Sequence, residues 1–336
     1  MKGLDSMRVG MVYDLRSDYR AEGFGEEEVA EFDSEETVRL LAEAIESLGH
    51  RVDRIGHAKA LVRRLAAGDR WDLVFNIAEG VRGRSREAQV PCILDLYEIP
   101  YTFSDPLVSA VTLDKEVAKR LVRQAGLRTP ASAVVASEED IERVGLRYPL
   151  FAKPLAEGTG KGIDGRSLIE SPEGLADACR IILERLREPV LVEEYLPGRE
   201  FTVAVLGTGP RARVLGTMEV TVTERAGSAV YGYKSKEECE TLVDYSPAAD
   251  GELRDETEEL ALLSYRALEC RDAGRVDIRV DREGRPSFME VNPLPGLHPS
   301  HSDLPMIATQ EGMSYRELIG SIVESAATRV GNHHGW

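Results

Sequence analysis

The spacing of apolar residues changes several times along the chain, and each change marks an element. Residues 8–13 form a short apolar run, the length of a buried strand. Behind Asp33 or Ser34 as a cap, Val38, Leu41, Ile45 and Leu48 fall on one helical stripe, which Gly49 ends. Residues 52–55, 72–77 and 101–103 read as further strands. Such alternation predicts a parallel sheet with helices packed on it. Asp105-Pro106 breaks the pattern, and one long helix is predicted over 107–125 with Gly126 as its stop.

A second series follows. Residues 131–136 and 150–154 read as strands, with an N-terminal helix signal at 137–140 between them. A helix over 172–187 leads to a strand at 189–195 that runs into the Pro197-Gly198 turn. Strands then dominate, at 201–206, 212–222, 274–281 and 288–292, with helices near 252–272 and 314–327. The fold class expected is α/β (α+β) in three domains, 1–105, 106–192 and 193–336.

Composition narrows the function. The 336 residues suffice for two or three cores, and 42% apolar with 30% charged residues is ordinary for a soluble globular protein. A net charge of −17 argues against nucleic acid or an anionic membrane as partner. No apolar run reaches membrane-spanning length, and residues 1–7 lack the apolar stretch of a signal peptide. Cys92, Cys179, Cys239 and Cys270 are scattered, with no CxxC pair to suggest zinc or a disulfide framework. The expected compartment is the cytoplasm.

The chemistry concentrates in a few segments. Arg275 and Asp277 are two apart on one strand, as Glu290 and Asn292 are on the next, so each pair shares a face. The polar link 281–285 contains Gly284 and suits a hairpin turn. Folded so, two carboxylates, an amide and a guanidinium converge, which suits Mg²⁺ with phosphate oxygens completing its shell. The alternative is a cross-strand ion pair on a solvated face. Lys153 ends a strand and precedes Glu157-Gly158-Thr159-Gly160-Lys161-Gly162, whose glycines let backbone N–H groups approach an anion. It is not a Walker A loop, because no GK[ST] opens a helix. Lys115 lies early on the long helix. Residues 191–203 bend from one strand into another with acids on both sides, and 231–236 is a basic, aromatic loop.

Together, in order and spacing, these residues resemble the ATP-grasp superfamily, and most closely the D-alanine–D-alanine ligase family. The resemblance runs from about residue 100 to 324. It rests on residues 99–104, Leu113-Asp114-Lys115, Lys153-Pro154 with Glu157-Gly158, and Glu200-Phe201-Thr202-Val203. It continues through Gly274-Arg275-Val276-Asp277, Glu290-Val291-Asn292 with Pro295-Gly296, and Gly312-Met313-Ser314-Tyr315. It implies ATP gripped between the central and C-terminal domains, an acyl phosphate formed from one amino acid, and its capture by the amine of another. Lys115 and Lys153 resemble the phosphate-binding lysines, and Glu157, Gly158, Thr159 and Gly160 the loop over the phosphates. Glu193, Glu194, Tyr195 and Leu196 resemble the adenine-binding segment, and Glu200 the ribose contact. Lys236 resembles the lysine that closes on the γ-phosphate. Asp277, Glu290 and Asn292 resemble the ligands of two Mg²⁺ ions, with Mn²⁺ as a substitute. Arg275 and the Gly296 N–H resemble the groups that stabilise the transferring phosphoryl and the oxyanion, and Ser302 the contact for the second substrate's carboxylate. A homodimer is also implied.

The chain departs from the family around the amino-acid pockets. The usual Gly-Gly and Ser-x-Glu near the N-terminus are absent, which leaves Glu26, Glu28 and Glu35 as candidates for the first substrate's amino group, with Glu35 the choice. Glu237 stands where tyrosine is usual after the closing lysine. The segment His298-Pro299-Ser300-His301-Ser302-Asp303 is one residue longer and carries two histidines and an acid. Three functions stay open: a D-alanine–D-alanine ligase, a ligase of other amino acids or amines, and an ATP-binding protein without turnover.

Overall fold

The computed structural model describes residues 6–158, 160–222 and 243–330. Its first part holds β1 (Arg8–Tyr13), α1 (Arg16–Ala21), α2 (Glu35–Ser47), β2 (Arg51–Gly56), α3 (Ala58–Ala66), β3 (Leu73–Ile77) and α4 (Gln89–Leu96). The strands form a parallel sheet in the order β2-β1-β3. Ser34 Oγ caps α2 by accepting from the Thr37 N–H at 3.1 Å, and Gly49 takes φ +98° to leave it. The stripe residues Val38, Leu41 and Ile45 are fully buried against this sheet. The strand expected at 101–103 is only an isolated bridge between Val74 and Tyr101. Phe103 turns the chain with φ +69° and gives its N–H to Asp272, so pairing cannot continue.

The long helix expected over 107–125 is two helices, α5 (Pro106–Leu113) and α6 (Lys115–Gln124). Asp114 breaks it: its backbone is extended, and its carboxylate caps α6 by accepting from Val117 N–H at 3.0 Å. The break makes Lys115 the first residue of a helix rather than a mid-helix surface lysine.

Next come β4 (Ser132–Val135), α7 (Glu138–Ile141), β5 (Leu150–Pro154), β6 (Leu168–Ile169), α8 (Pro172–Leu186) and β7 (Val190–Glu194). They build an antiparallel sheet in the order β4-β7-β5-β6. A division after residue 192 would cut β7, whose pairing with β4 and β5 runs through Glu193.

The third sheet combines β8 (Glu200–Leu206), β9 (Arg213–Val222), β10 (Val243–Pro247), β11 (Ala273–Val280) and β12 (Pro286–Asn292), all antiparallel, in the order β10-β9-β8-β11-β12. The remaining helices are α9 (Glu252–Ala267), α10 (Asp303–Gln310) and α11 (Tyr315–Ala327). Along β11, Val276, Ile278 and Val280 face a core with Phe201 and Val203 of β8 and Leu260, Ala261 and Tyr265 of α9. Each such buried side chain contributes roughly 1.5–3 kcal/mol. The alternate residues Arg275, Asp277 and Arg279 therefore share the opposite, polar face.

The two ends of the chain meet. Helix α11 packs against α2, and Leu318, Ile319 and Ile322 enter the core under the first sheet. Asp272 pins this junction from a fully buried position. Its carboxylate accepts from Phe103 N–H (2.7 Å), Ser325 Oγ (2.7 Å) and Arg329 Nη1 (2.8 Å). We expect Asp272→Ala to lower stability by about 3 kcal/mol, because several donors lose their acceptor at once. A urea unfolding midpoint unchanged from wild type would contradict this.

Candidate active site

Two cavities meet at the polar face of β11 and β12. The first, about 90 Å³, lies between the second and third sheets. Lys153 reaches it from the end of β5, Glu193 and Glu194 from β7, and Tyr195 and Leu196 from the link to β8. Glu200 and Thr202 come from β8, Asp277 from β11 and Glu290 from β12. Glu157, Gly158 and Gly160 form its roof. Thr159, Lys236 and Glu237 lie outside the described residues. The second cavity, about 810 Å³, is lined by Asn292, Gly296 and Ser302 among others. Both cavities touch Lys115, Gly158, Arg275, Glu290 and Asp303, so these five mark where they join.

The hairpin register puts Arg275 opposite Asn292 and Asp277 opposite Glu290, as the i, i+2 spacing requires. A bulge after Asp277 pairs Ile278 with Phe288 and leaves Met289 over as the extra residue. Asp277 accepts from Thr202 Oγ1 at 3.0 Å and from Arg275 Nη2 at 3.1 Å. The other arm of Arg275 pairs with Asp303, at the start of α10. Lys115 Nζ donates to the Glu157 carbonyl at 2.6 Å and stands 3.7 Å from Glu290 Oε2. Lys153 Nζ is 3.9 Å from the same oxygen.

Behind Lys153 lies a buried triad that the sequence reading missed. Glu193 bridges Lys153 (3.0 Å) and Lys119 (2.9 Å), and Glu193 and Lys119 are 0% exposed. Burial alone would raise the Glu193 carboxyl, but the two ammonium groups hold it below its ordinary range. Burial draws Lys119 down to about 8 despite its partner. Lys153 is also penalised by burial, yet Glu193 and Glu290 keep it above the ordinary lysine value. Glu193 thus stands in the expected adenine-binding segment with its carboxylate turned to lysines.

The rest of that segment makes a shelf. Tyr195 stacks on Phe151, ring centroids 6.4 Å apart, and Arg279 lies 5.2 Å over the Tyr195 ring. Arg279 Nη1 also donates to Glu200 Oε2 at 3.0 Å. In the roof, the Gly158 N–H donates to Glu31 Oε1 at 2.6 Å, and Arg86 holds Glu31 Oε2 at 2.9 Å. A carboxylate from the first domain therefore sits on an amide of the loop expected to receive an anion. Lys161 pairs with Glu157 at 2.7 Å. At the far wall, Ser302 Oγ accepts from His298 N–H at 3.0 Å, and a Cβ at Gly296 would lie 2.7 Å from that oxygen. A side chain at position 296 would have to push the Ser302 hydroxyl aside.

Glu35 lies apart from both cavities and pairs with Arg54 at 2.7 Å on the surface. Glu26 pairs with Arg20, and Glu28 accepts from Gly25 N–H at 2.8 Å. The carboxylates that do line the large cavity from this side are Glu31, Asp33, Glu36, Glu79 and Glu87. Glu79 follows the C-terminal end of β3, and ligands commonly bind beyond the carboxyl ends of parallel strands. That rule offered the missed signal.

The donor set suits magnesium. Asp277, Glu290 and Asn292 offer two carboxylates and one amide oxygen, while Asn292 Nδ2 is buried without a hydrogen-bond partner. Among the described residues no group of three His, Cys, Asp or Glu is placed to hold a metal ion by itself. Mg²⁺ is commonly bound by one or two carboxylates together with phosphate oxygens, and this donor set is compatible with that mode.

Comparison with known proteins gives the family. The family D-ala D-ala ligase C-terminus matches residues 121–324. A D-alanine–D-alanine ligase of Bordetella petrii is 37% identical over 278 residues, 81% of this chain and 80% of its own length. An uncharacterized protein of Sinorhizobium fredii is 33% identical over 267 residues, 76% of this chain and 75% of its own. The crystal structure of the Bacillus anthracis D-alanine–D-alanine ligase superposes with TM-score 0.75 at 22% identity, covering 98% of this chain and all of that one. The chain belongs to the D-alanine–D-alanine ligase family and has its ATP-grasp fold.

Proposed function

We propose that the small cleft takes ATP and the large cavity takes two amino-acid substrates, which the enzyme joins through an acyl phosphate. The observation that carries this is the junction at Lys115, Arg275, Glu290 and Asp303, where both cavities open on the same groups. A carboxylate oxygen of the first substrate attacks the γ-phosphorus, and the bond to ADP breaks. The amine of the second substrate then attacks the acyl carbon, loses a proton, and phosphate leaves. Lys115 and Lys153 neutralise phosphate charge, and Arg275 stabilises charge on the transferring group. Asp277, Glu290 and Asn292 would hold Mg²⁺, or Mn²⁺, which would supply charge neutralisation at the phosphates. Gly296 and Ser302 keep the roles their family resemblance implies, toward the oxyanion and the second carboxylate. Glu200 and Tyr195 hold the nucleoside end.

Hydroxylamine tests the intermediate. With ATP, Mg²⁺ and the first substrate alone, it should trap an amino-acid hydroxamate. ATP binding without hydroxamate or ADP would favour a protein that grips nucleotide without turnover. Lys115→Ala and Lys153→Ala should each weaken ATP binding by about 1.5–3 kcal/mol, the loss of a charge-assisted bond. Calorimetry showing unchanged affinity in both would refute the grip. No helix of the described residues is long and apolar enough to cross a membrane. A homodimer in the cytoplasm is the assembly we propose on family resemblance, and sedimentation would test its size.

A further inference from the structure

We propose that the large cavity selects an amino acid bearing a positive charge beyond its α-amino group, held by Glu79 and Glu87. This rests on the ligase reading and names its substrate class. The cavity is about 810 Å³, toward the upper end of the roughly 300–1,000 Å³ of small-molecule pockets. Two alanines leave much of it unfilled, so its wall chemistry has room to act on a longer side chain.

The wall is acidic from both sides. Glu31, Asp33, Glu36, Glu79 and Glu87 come from the first domain and Asp303 from the start of α10. Among the described residues the facing cations are Arg16, Lys115 and Arg275. Most of this positive charge is already engaged. Arg275 is paired with Asp303 and Asp277, and Arg86, behind the wall, serves Glu31. Arg16 is fixed by the carbonyls of Phe32 (2.6 Å) and Ala30 (2.8 Å).

Glu79 and Glu87, by contrast, line the cavity with no hydrogen bond or ion pair to any described residue. Burial, with Glu31 nearby, pushes Glu87 up to about 7 although Arg86 and Lys115 pull it down, and burial with Glu87 and Glu31 pushes Glu79 well above its ordinary value although Arg86 pulls it down. By themselves such acids favour the neutral form, and a cation placed beside them would hold them ionised and be bound in return. A cationic side chain does so. On the opposite wall, buried Asn292 Nδ2 has no acceptor, and a substrate carboxylate would provide one. Alanine's carboxylate and α-ammonium would answer Asn292 and one of these acids, and the other acid is left for the second cation that a diamino acid carries.

The test is ADP release with ATP and Mg²⁺, comparing lysine, ornithine and 2,3-diaminopropionate of either hand with alanine and with norleucine, the uncharged analogue of lysine. We expect at least one cationic amino acid to exceed norleucine in kcat/KM by about tenfold or more. Glu79→Gln and Glu87→Gln should each cut that ratio several-fold in protein that still binds ATP by calorimetry. Efficient turnover of alanine with no advantage for any cationic amino acid overturns the inference and leaves the ligase reading standing. A preference that both variants retain overturns the assignment to Glu79 and Glu87. No ADP release with any amino acid overturns the ligase reading and this inference with it.

Discussion

Glu290→Gln is expected to yield a folded protein that no longer transfers the γ-phosphoryl group, with single-turnover ADP formation down by at least about 10³-fold. The change keeps the shape of the side chain and removes one negative charge. That charge sits where both cavities join, opposite Asp277 in the hairpin and within 4 Å of Lys115 and Lys153. A ligand that must hold a divalent cation against phosphate loses most of its value as an amide. Folding should be spared, because Glu290 lies on the polar face of β12 while Phe288 and Val291 carry its core contacts. ATP binding and a thermal melt would confirm intact protein. ADP formation near the wild-type rate in that protein would remove Glu290 from the metal site.

The second large effect is on stability. Glu193→Gln should cost about 3–5 kcal/mol, the range for breaking a buried ion pair by removing one partner. Here the removed carboxylate serves two lysines, so Lys119 and Lys153 would face each other with no counter-charge between them. Lys119 also holds Thr129 Oγ1 at 3.2 Å and the Phe288 carbonyl at 3.4 Å, which ties the start of the second sheet to the hairpin. Lys119→Met should cost less, since Lys153 still satisfies Glu193 and the apolar chain fills the same space. Equal unfolding midpoints for wild type and Glu193→Gln would mean that the triad is not a structural ion network.

Features with a local signature were legible in the sequence. The hairpin was one, because alternation along β11 and β12 puts chemistry on one face and aliphatics on the other, and Gly284 allows the turn with φ +83°. The α2 stripe was another. Features made by distant residues were not legible. Asp303 reaches Arg275 across 28 positions, and Glu31 reaches Gly158 across 127. The break at Asp114 was hidden because apolar periodicity continues on both sides of it, and only the capping geometry separates α5 from α6. Glu35 and Glu36 show how fine the distinction is. They are neighbours in the first turn of α2, about 100° apart around the helix, so one lines the cavity while the other pairs with Arg54 outside.

The most direct test of the account is the stoichiometry of a complete reaction. Purified protein with ATP, Mg²⁺ and paired amino acids of both hands, spanning alanine and cationic side chains, should form one ADP and one phosphate for each amide bond seen by mass spectrometry. Tight ATP binding with no amide product from any pair, or amide formation without matching ADP, would contradict it.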